Sequence, residues 1–433
     1  MKNVKNRIPF YSFFGEIVST STFRHSSITL TGTILNGVLG AVFYILAARF
    51  LGPAQFGLMS VVIITQTLVT DLGDLGVNTG LVNFLPRYLH SDWEKAKKFL
   101  KLALEVKVIV FVIILIFGLA FSDYIAINIF KKPELYRPLQ IGMFGVGGLL
   151  LMSFSTQTLQ AKQRFFAWSG IQVGTNVIRV IFILIFLALG YFSLHSALWV
   201  YMLVPFLGFV IGLFLISRGF LKAKNEWSVA REFFTYNKWV AAFTILAAIS
   251  SRLDTFIATR LLSANDLGLY SAANQMVKAV PMIVSAMGTV IAPKMASLDS
   301  VHKLIQYLKK TQVMVLGLAT LGAALTPVAV WLIPHLLGRE YIASGPIFLL
   351  LFFAMLSFLI SVPTHMAIIY YYSKPSFFLW LSILHFLIIA ILGWFLTSKY
   401  GVVGAATTVL LGQVVNFVIP LLWVLRKISQ TKA

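Results

Sequence analysis

The chain has 433 residues, of which 59% are hydrophobic and only 11% are charged, with a formal net charge of +21 and a mean hydropathy of +0.88. Since soluble domains carry about 25% charged residues, this composition excludes a soluble globular protein and indicates an integral membrane protein. The absence of cysteine excludes disulfides, iron–sulfur clusters and thiol catalysis.

Twelve apolar segments of membrane-spanning length follow one another along the chain. Each is close to the ~20 residues that a helix needs to cross ~30 Å of hydrocarbon. We therefore predict an all-α polytopic membrane protein with 12 transmembrane helices, preceded by a segment (9–14) that lies along the inner membrane surface. The predicted spans are residues 28–50, 56–75, 102–121, 139–158, 166–189, 197–216, 239–261, 270–292, 313–337, 347–370, 377–395 and 402–424.

The positive charge lies mostly on one side of the membrane. If both termini are cytoplasmic, 24 of the 35 Lys and Arg residues lie on the inner side, in agreement with the positive-inside rule. This distribution predicts a multi-pass protein of the cell (inner or plasma) membrane, and it explains the charge without a nucleic-acid partner. Seven basic residues lie on the predicted outer side: Arg49, Lys131, Lys132, Arg137, Arg260, Arg339 and Lys399.

One segment of sequence occurs twice, 211 residues apart, at 44–60 and 255–271. The repeat predicts an N-lobe of six spans (1–217), a basic cytoplasmic linker (218–238) and a C-lobe of six spans (239–433). Because six is even, both lobes have the same orientation, so the repeat is parallel and a substrate path is expected between the lobes. The identical pairs are Ala47/Ala258, Arg49/Arg260, Leu51/Leu262, Gly57/Gly268, Leu58/Leu269 and Ser60/Ser271.

The turn RFLGPAQFG (49–57) resembles the signature of the polysaccharide-transporter branch of the multidrug/oligosaccharidyl-lipid/polysaccharide (MOP) flippase superfamily, which includes Wzx-type oligosaccharide flippases. Four further segments resemble the same pattern in the same order, at 71–87, 159–166, 337–341 and 399–406. The resemblance implies two six-helix bundles that form a V and open alternately to either side.

The same resemblance implies the cargo and the partners. The cargo would be a polyprenyl-diphosphate-linked oligosaccharide, carried from the inner to the outer leaflet for cell-surface polysaccharide biosynthesis. The implied partners are this lipid-linked oligosaccharide and the membrane lipids, with a polysaccharide polymerase and glycosyltransferases as further candidates.

Polar residues recur at helical spacing inside several of the apolar spans. Side chains three or four residues apart share one helix face, and a polar face turned to lipid would be costly. These faces are therefore expected to point at water, at each other or at cargo. The stripes are Thr67, Asp71, Asp74 and Asn78; Ser153, Gln157, Gln160 and Arg164; Gln172, Asn176 and Arg179; and Ser271, Asn274, Gln275 and Lys278.

Four basic residues lie inside predicted spans, and three of them are the best candidates for binding a diphosphate. Arg252, Lys278 and Arg179 are assigned this role, because Arg offers a planar fork for phosphate oxygens and Lys a mobile point charge. The fourth, Lys107, is expected to snorkel to the inner interface near Glu105. The sugar hydroxyls are expected to meet Asn176, Gln172, Asn274, Gln275 and Gln157.

Three carboxylates, Asp71, Asp74 and Asp254, are candidates for ion coupling. An alternative is purely structural: intramembrane charges also pair to hold helices together, as Arg179 with Asp74 would.

Two other functions remain open at this stage. A cation-coupled multidrug antiporter of the same superfamily would have the same spans, but basic residues inside the spans favour an anionic cargo. A membrane-embedded sugar polymerase or ligase would present a large outer loop, and none is visible. The sequence shows no metal-ligand cluster, phosphate-binding loop or nucleophile–base set, so we expect no enzyme activity, no cofactor and no metal.

Overall fold

The computed structural model describes residues 21–89, 91–216 and 218–432. The N-terminal segment predicted to lie along the inner membrane surface falls outside these residues. The described chain folds into α-helices joined by short turns, and it contains no β-strand within the described residues.

The α-helices are numbered here in chain order. They are α1 (Ser21–Gly73), α2 (Val77–Tyr88), α3 (Trp93–Tyr124), α4 (Tyr136–Ala161), α5 (Phe165–Ala188), α6 (Leu194–Leu215), α7 (Trp227–Ser250), α8 (Leu253–Leu261), α9 (Ala264–Val277), α10 (Ala279–Ala296), α11 (Val301–Ala324), α12 (Thr326–Leu337), α13 (Ser344–Met366) and α14 (Ser376–Lys432). A π-helical turn, Ile125–Ile129, extends α3, and a second one, Ala367–Tyr371, extends α13.

Twelve spans fit the helices of the described residues. Eight helices, or ten when two bent pairs each count as one span, are long and apolar enough to cross a membrane. The two longest, α1 and α14, each contain a glycine outside the helical region, Gly52 (φ 71°) and Gly401 (φ 60°). Each is therefore kinked at this glycine and, at 53 and 57 residues, is long enough to hold two spans. The predicted all-helical, twelve-span architecture is confirmed.

Several spans are interrupted where the sequence predicted continuous helix. The second span breaks between Gly73 and Val77, where Leu75 (φ 48°) and Gly76 (φ 76°) are left-handed. Two others are bent pairs: α7 with α8 (40°) and α11 with α12 (47°). The expectation of one continuous helical face through the second span was therefore wrong, because glycine frees the backbone from the helical region.

The chain divides into two compact units. Among the described residues, unit 1 contains 21–44, 66–121 and 140–246, and unit 2 contains 45–65, 122–139 and 247–432. Unit 2 thus includes two segments from the first half of the chain.

In unit 1, the first half of α7 packs against the core formed with α2 and α3. The stacked rings of Phe84 and Phe99, 5.0 Å apart, meet the buried Phe233 of α7. Glu232 on the same helix pairs with Lys95 at 2.8 Å. The helix begins at Trp227, twelve residues before the predicted span. These extra residues are helical because their apolar side packs against the core of α2 and α3.

In unit 2, the two copies of the repeated segment cross at their identical glycines. A Cβ on Gly57 would lie 2.4 Å from the Ala264 carbonyl oxygen, and one on Gly268 only 1.8 Å from that of Pro53. Any side chain at either position would collide with backbone. This contact is the physical reason for glycine at both positions.

The repeated arginines of unit 2 make reciprocal contacts. Arg49 donates to the carbonyl of His335 at 3.0 Å, in the last turn of α12, and Arg260 donates to that of Asn128 at 2.8 Å, in the π-helical turn after α3. Each guanidinium thus satisfies carbonyls left free at a helix end. Two further side chains of unit 2 also donate to backbone carbonyls. The Tyr341 hydroxyl donates to the Ala48 carbonyl at 2.9 Å, and the Lys132 ammonium donates to the Leu262 carbonyl at 2.6 Å.

The predicted topology has a direct test, because the chain contains no cysteine. Single cysteines at Lys222 and Arg339, both exposed, lie on the predicted inner and outer sides. In intact cells a membrane-impermeant thiol reagent is expected to label the second and to reach the first only after the membrane is opened. Equal labelling of both sites in intact cells would contradict the orientation.

Candidate functional site

Three charged residues lie at interruptions of spanning helices. Asp74 follows the end of α1, Arg252 lies between α7 and α8, and Lys278 lies between α9 and α10. Interrupted spans free backbone polar groups inside the membrane, and transporters commonly place ion and substrate sites at such breaks. These positions are therefore the starting points for a functional site.

The break at Asp74 is occupied by a buried ion pair. The fully buried Lys107 ammonium donates to Asp74 Oδ1 at 2.7 Å, to Asn78 Oδ1 at 3.0 Å and to Ser153 Oγ at 2.8 Å. Asp74 Oδ2 also accepts the backbone N–H of Asn78 at 3.2 Å, in the first turn of α2. All three donors of the ammonium are satisfied, so this cluster holds the broken span to α3 and α4.

The expectation that Lys107 snorkels to the interface near Glu105 was wrong. Glu105 instead accepts a hydrogen bond from Asn225 at 3.0 Å and lies 3.6 Å from the Lys101 ammonium. Lys107 turns inward because Asp74, 33 residues earlier in the chain, supplies a counter-charge that sequence spacing does not reveal.

Arg179 is held by its own helix and by α6. Its guanidinium donates to Asn176 Oδ1 at 3.1 Å and to the Tyr201 carbonyl at 3.1 Å, and it lies 4.0 Å above the Tyr201 ring. Asn176 in turn donates to Asn36 Oδ1 at 2.6 Å. The suggested structural pairing of Arg179 with Asp74 is not formed, since Asp74 binds Lys107. The buried Nε–H of Arg179 has no acceptor among the described residues.

Arg252 and Lys278 both lie in unit 2, near each other. Arg252 also donates to the Ala248 carbonyl at 3.3 Å, in the last turn of α7. Lys278 is exposed, and Asn274 and Gln275, half-buried, lie in the turn of α9 before it. Two cations at two helix interruptions create a local positive potential that favours an anionic group.

Asp254 lies in the first turn of α8, and its Oδ2 accepts a hydrogen bond from the buried Tyr270 hydroxyl at 2.8 Å. The buried Nε2 of His385, on α14, has no partner among the described residues. The remaining predicted residues, Asp71, Gln157 and Gln172, are half-buried in unit 1.

Sequence reasoning missed three contributors to these clusters: Asn36, Tyr201 and Tyr270. Asn36 was detectable as a polar residue inside the apolar first predicted span. The two tyrosines carried no comparable signal, because tyrosine is common in membrane helices and each acts through a partner distant in sequence.

The sequence profile of the family described as "Polysaccharide biosynthesis protein" matches residues 23–299, well over half of the chain. The chain belongs to this family. The membership confirms the resemblance inferred from the motifs. No curated protein matches the sequence.

The fold of the chain is similar to those of solved MOP-superfamily transporters. The chain is similar to a multidrug resistance MATE family transporter in an inward-facing conformation (TM-score 0.74, 12% identity, covering 94% of this chain and 98% of the other). It is also similar to the lipid II flippase MurJ in an inward closed conformation (TM-score 0.72, 16% identity, 92% and 87%).

A third similar structure is a MOP superfamily transporter from Pyrococcus furiosus (TM-score 0.59, 14% identity, 95% and 96%). At these identities the likeness concerns the fold, which is that of a multi-pass MOP-superfamily transporter.

Proposed function

We propose that this protein is a flippase that moves a polyprenyl-diphosphate-linked oligosaccharide from the inner to the outer leaflet by alternating access, for cell-surface polysaccharide biosynthesis. The observation that carries the proposal is the position of two cationic residues of unit 2, Arg252 and Lys278, each at the junction of two helices. Membership of the polysaccharide biosynthesis family supports it.

The physical argument concerns the diphosphate. Moving this anion through hydrocarbon is prohibitive unless cationic groups replace its water. Arg252 and Lys278 can each give a phosphate oxygen a charge-assisted hydrogen bond, the arginine through its planar fork and the lysine as a mobile point charge. The lipid tail stays in the bilayer throughout.

Arg179 is proposed as a third cation, through the buried Nε–H that has no described acceptor. Side-chain amides are proposed to bind sugar hydroxyls, since each amide both donates and accepts hydrogen bonds. These are Asn176, Gln172, Asn274, Gln275 and Gln157.

Ion coupling is proposed for Asp254 before Asp71 or Asp74. Asp254 accepts its hydrogen bond from a neutral hydroxyl, that of Tyr270, so a change in its protonation breaks no ion pair with that partner. Asp74 is already paired with Lys107.

A polysaccharide polymerase and glycosyltransferases are proposed as partners, since their substrates and products are lipid-linked sugars.

The test is a deletion strain complemented with variants. Loss of the gene is expected to cause a lipid-linked oligosaccharide to accumulate at the inner leaflet, measured by mass spectrometry of extracted lipids. Wild-type protein should clear it, and Arg252→Gln with Lys278→Gln should not, at equal protein abundance. Arg252→Lys should restore transport only in part, because the charge remains while the planar fork is lost.

Lys294→Gln is the matched control, since Lys294 is an exposed cation on α10, the helix that follows Lys278. Normal clearance by the Arg252/Lys278 double variant would remove the cationic site. Unchanged lipids in the deletion strain, together with greater sensitivity to cationic drugs, would instead support the multidrug antiporter.

A further inference from the structure

An open, solvent- or lipid-accessible surface lies along the first half of α7, within unit 1. None of its residues belongs to the candidate diphosphate site. Trp227 is 80% exposed and Trp239 is 73% exposed. We call the lining residues the α7 strip: Trp227, Ser228, Arg231, Glu232, Thr235, Tyr236, Trp239 and Val240.

The strip is one face of one helix. Its residues form two adjacent rows with a four-residue step, one from Trp227 to Trp239 and the other from Ser228 to Val240. The two tryptophans are twelve residues apart, which is about 18 Å along the helix. Tryptophans that anchor a span lie at the level of the head groups. In a helix that crosses the membrane, two tryptophans about 18 Å apart cannot both lie at the level of the same head groups. Anchoring at the membrane interface therefore explains at most one of them.

The strip is also rigid. The opposite face of α7 is buried through Val229, Phe233 and Asn237 in unit 1. Glu232, at the edge of the strip, pairs with Lys95 at 2.8 Å and accepts a hydrogen bond from the Tyr88 hydroxyl at 2.9 Å. An exposed face fixed in this way can bind a ligand without first being ordered.

The chemistry of the strip matches a glycan. A pyranose ring has an apolar C–H face and an edge of hydroxyls. Trp227 offers a flat aromatic surface for the first, as does the face of Trp239 away from the Lys238 ammonium. Tyr236 packs edge-on against Phe84 and exposes the rest of its ring. Arg231, Thr235 and Ser228 offer hydrogen-bonding groups for the second. A lipid tail would leave the guanidinium and hydroxyls without partners, so an apolar occupant fits poorly.

We propose that the α7 strip binds the sugar portion of the lipid-linked oligosaccharide. This inference rests on the proposed flippase function and adds to it a division of labour. Arg252 and Lys278 recognise the diphosphate, which every such carrier has, while the strip recognises the sugars and so contributes the preference for one glycan over another.

The test compares two probes on the full-length protein in lipid nanodiscs. The first is the lipid-linked oligosaccharide pool extracted from the deletion strain, and the second is polyprenyl diphosphate without sugar. Trp227→Ala with Trp239→Ala is expected to weaken binding of the first probe at least tenfold and to leave the second unchanged. Tryptophan-to-phenylalanine changes at both positions should restore much of the binding, because the aromatic faces remain.

Trp380→Ala is the matched control, since Trp380 is 71% exposed on α14 and should affect neither probe. Equal losses for both probes, or no loss for the first, would overturn the strip as a glycan site. Arg252→Gln with Lys278→Gln should weaken both probes. If the wild-type protein binds neither probe, the proposed flippase function is contradicted. If the wild-type protein binds both probes and the tryptophan double variant binds them equally well, only the proposed role of the strip is contradicted.

Discussion

Replacing Lys107 with Met is expected to destabilise the protein more than any other single change considered in this chain. The substitution leaves the Asp74 carboxylate buried without its counter-charge and removes the donor shared by Asn78 and Ser153. Removing one partner of a buried ion pair costs about 3–5 kcal/mol, because the remaining charge stays desolvated. We expect a clear fall in the thermal unfolding temperature of the detergent-purified protein and less folded protein in the membrane.

The control is Lys303→Met, which breaks the exposed Lys303–Asp299 pair, where the side chains are 58% and 69% exposed. Exposed pairs contribute about 0–1 kcal/mol, so this variant should unfold close to the wild-type temperature. A double variant, Lys107→Met with Asp74→Leu, should recover much of the loss because no charge is left buried. Normal stability of Lys107→Met with loss of transport would contradict the structural role and assign Lys107 to the cargo path.

Replacing both repeated arginines, Arg49→Gln with Arg260→Gln, is expected to open the predicted outer side of the protein. Each arginine donates to carbonyls at the end of a helix from the other half of the chain, in unit 2. In the proposed alternating-access cycle these contacts separate when the outer side opens. Hydrogen bonds to charged groups contribute about 1.5–3 kcal/mol, and 1.4 kcal/mol corresponds to a factor of ten in an equilibrium.

The measurement is labelling of a cysteine at Ser60, which is only 2% exposed, by an impermeant thiol reagent in intact cells. The double arginine variant should raise the labelling rate at least tenfold, because the loss of even one such bond corresponds to about a factor of ten. Arg137→Gln with Arg339→Gln removes two other exposed outer-side charges and should leave the rate unchanged. Equal rates in the two double variants would show that the reciprocal contacts do not hold this side closed.

The two glycines at the crossing of the repeats show what a repeated sequence can predict and what it cannot. The identity of Gly57 and Gly268 was visible in the duplicated segment, and it predicted that the two positions are equivalent. Only the packing of the folded chain shows that the two glycines meet and that neither has room for a Cβ. A repeat in sequence identifies equivalent positions, whereas only the folded chain shows whether equivalent positions touch.

Helix interruptions were the main feature that spacing did not predict. Asp74 and Asn78 were expected on one continuous face, and they do share one partner, Lys107. They do so across a break, because Leu75 and Gly76 leave the helical region. Lys278 and Arg252 also lie at breaks that carry no local signal in hydropathy.

The sequence by itself determined the membrane class, the twelve spans, the family and the cationic residues inside the spans. It did so because hydrocarbon excludes unpaired polar groups, so each apolar run of sufficient length becomes a helix and each charge within one is conspicuous. Tertiary structure alone decided where the charges lie relative to one another. Lys107 pairs with Asp74 and becomes structural, whereas Arg252 and Lys278 lie at helix junctions in unit 2. Pairing depends on which helices pack together, and that arrangement arises from contacts between residues far apart in the chain.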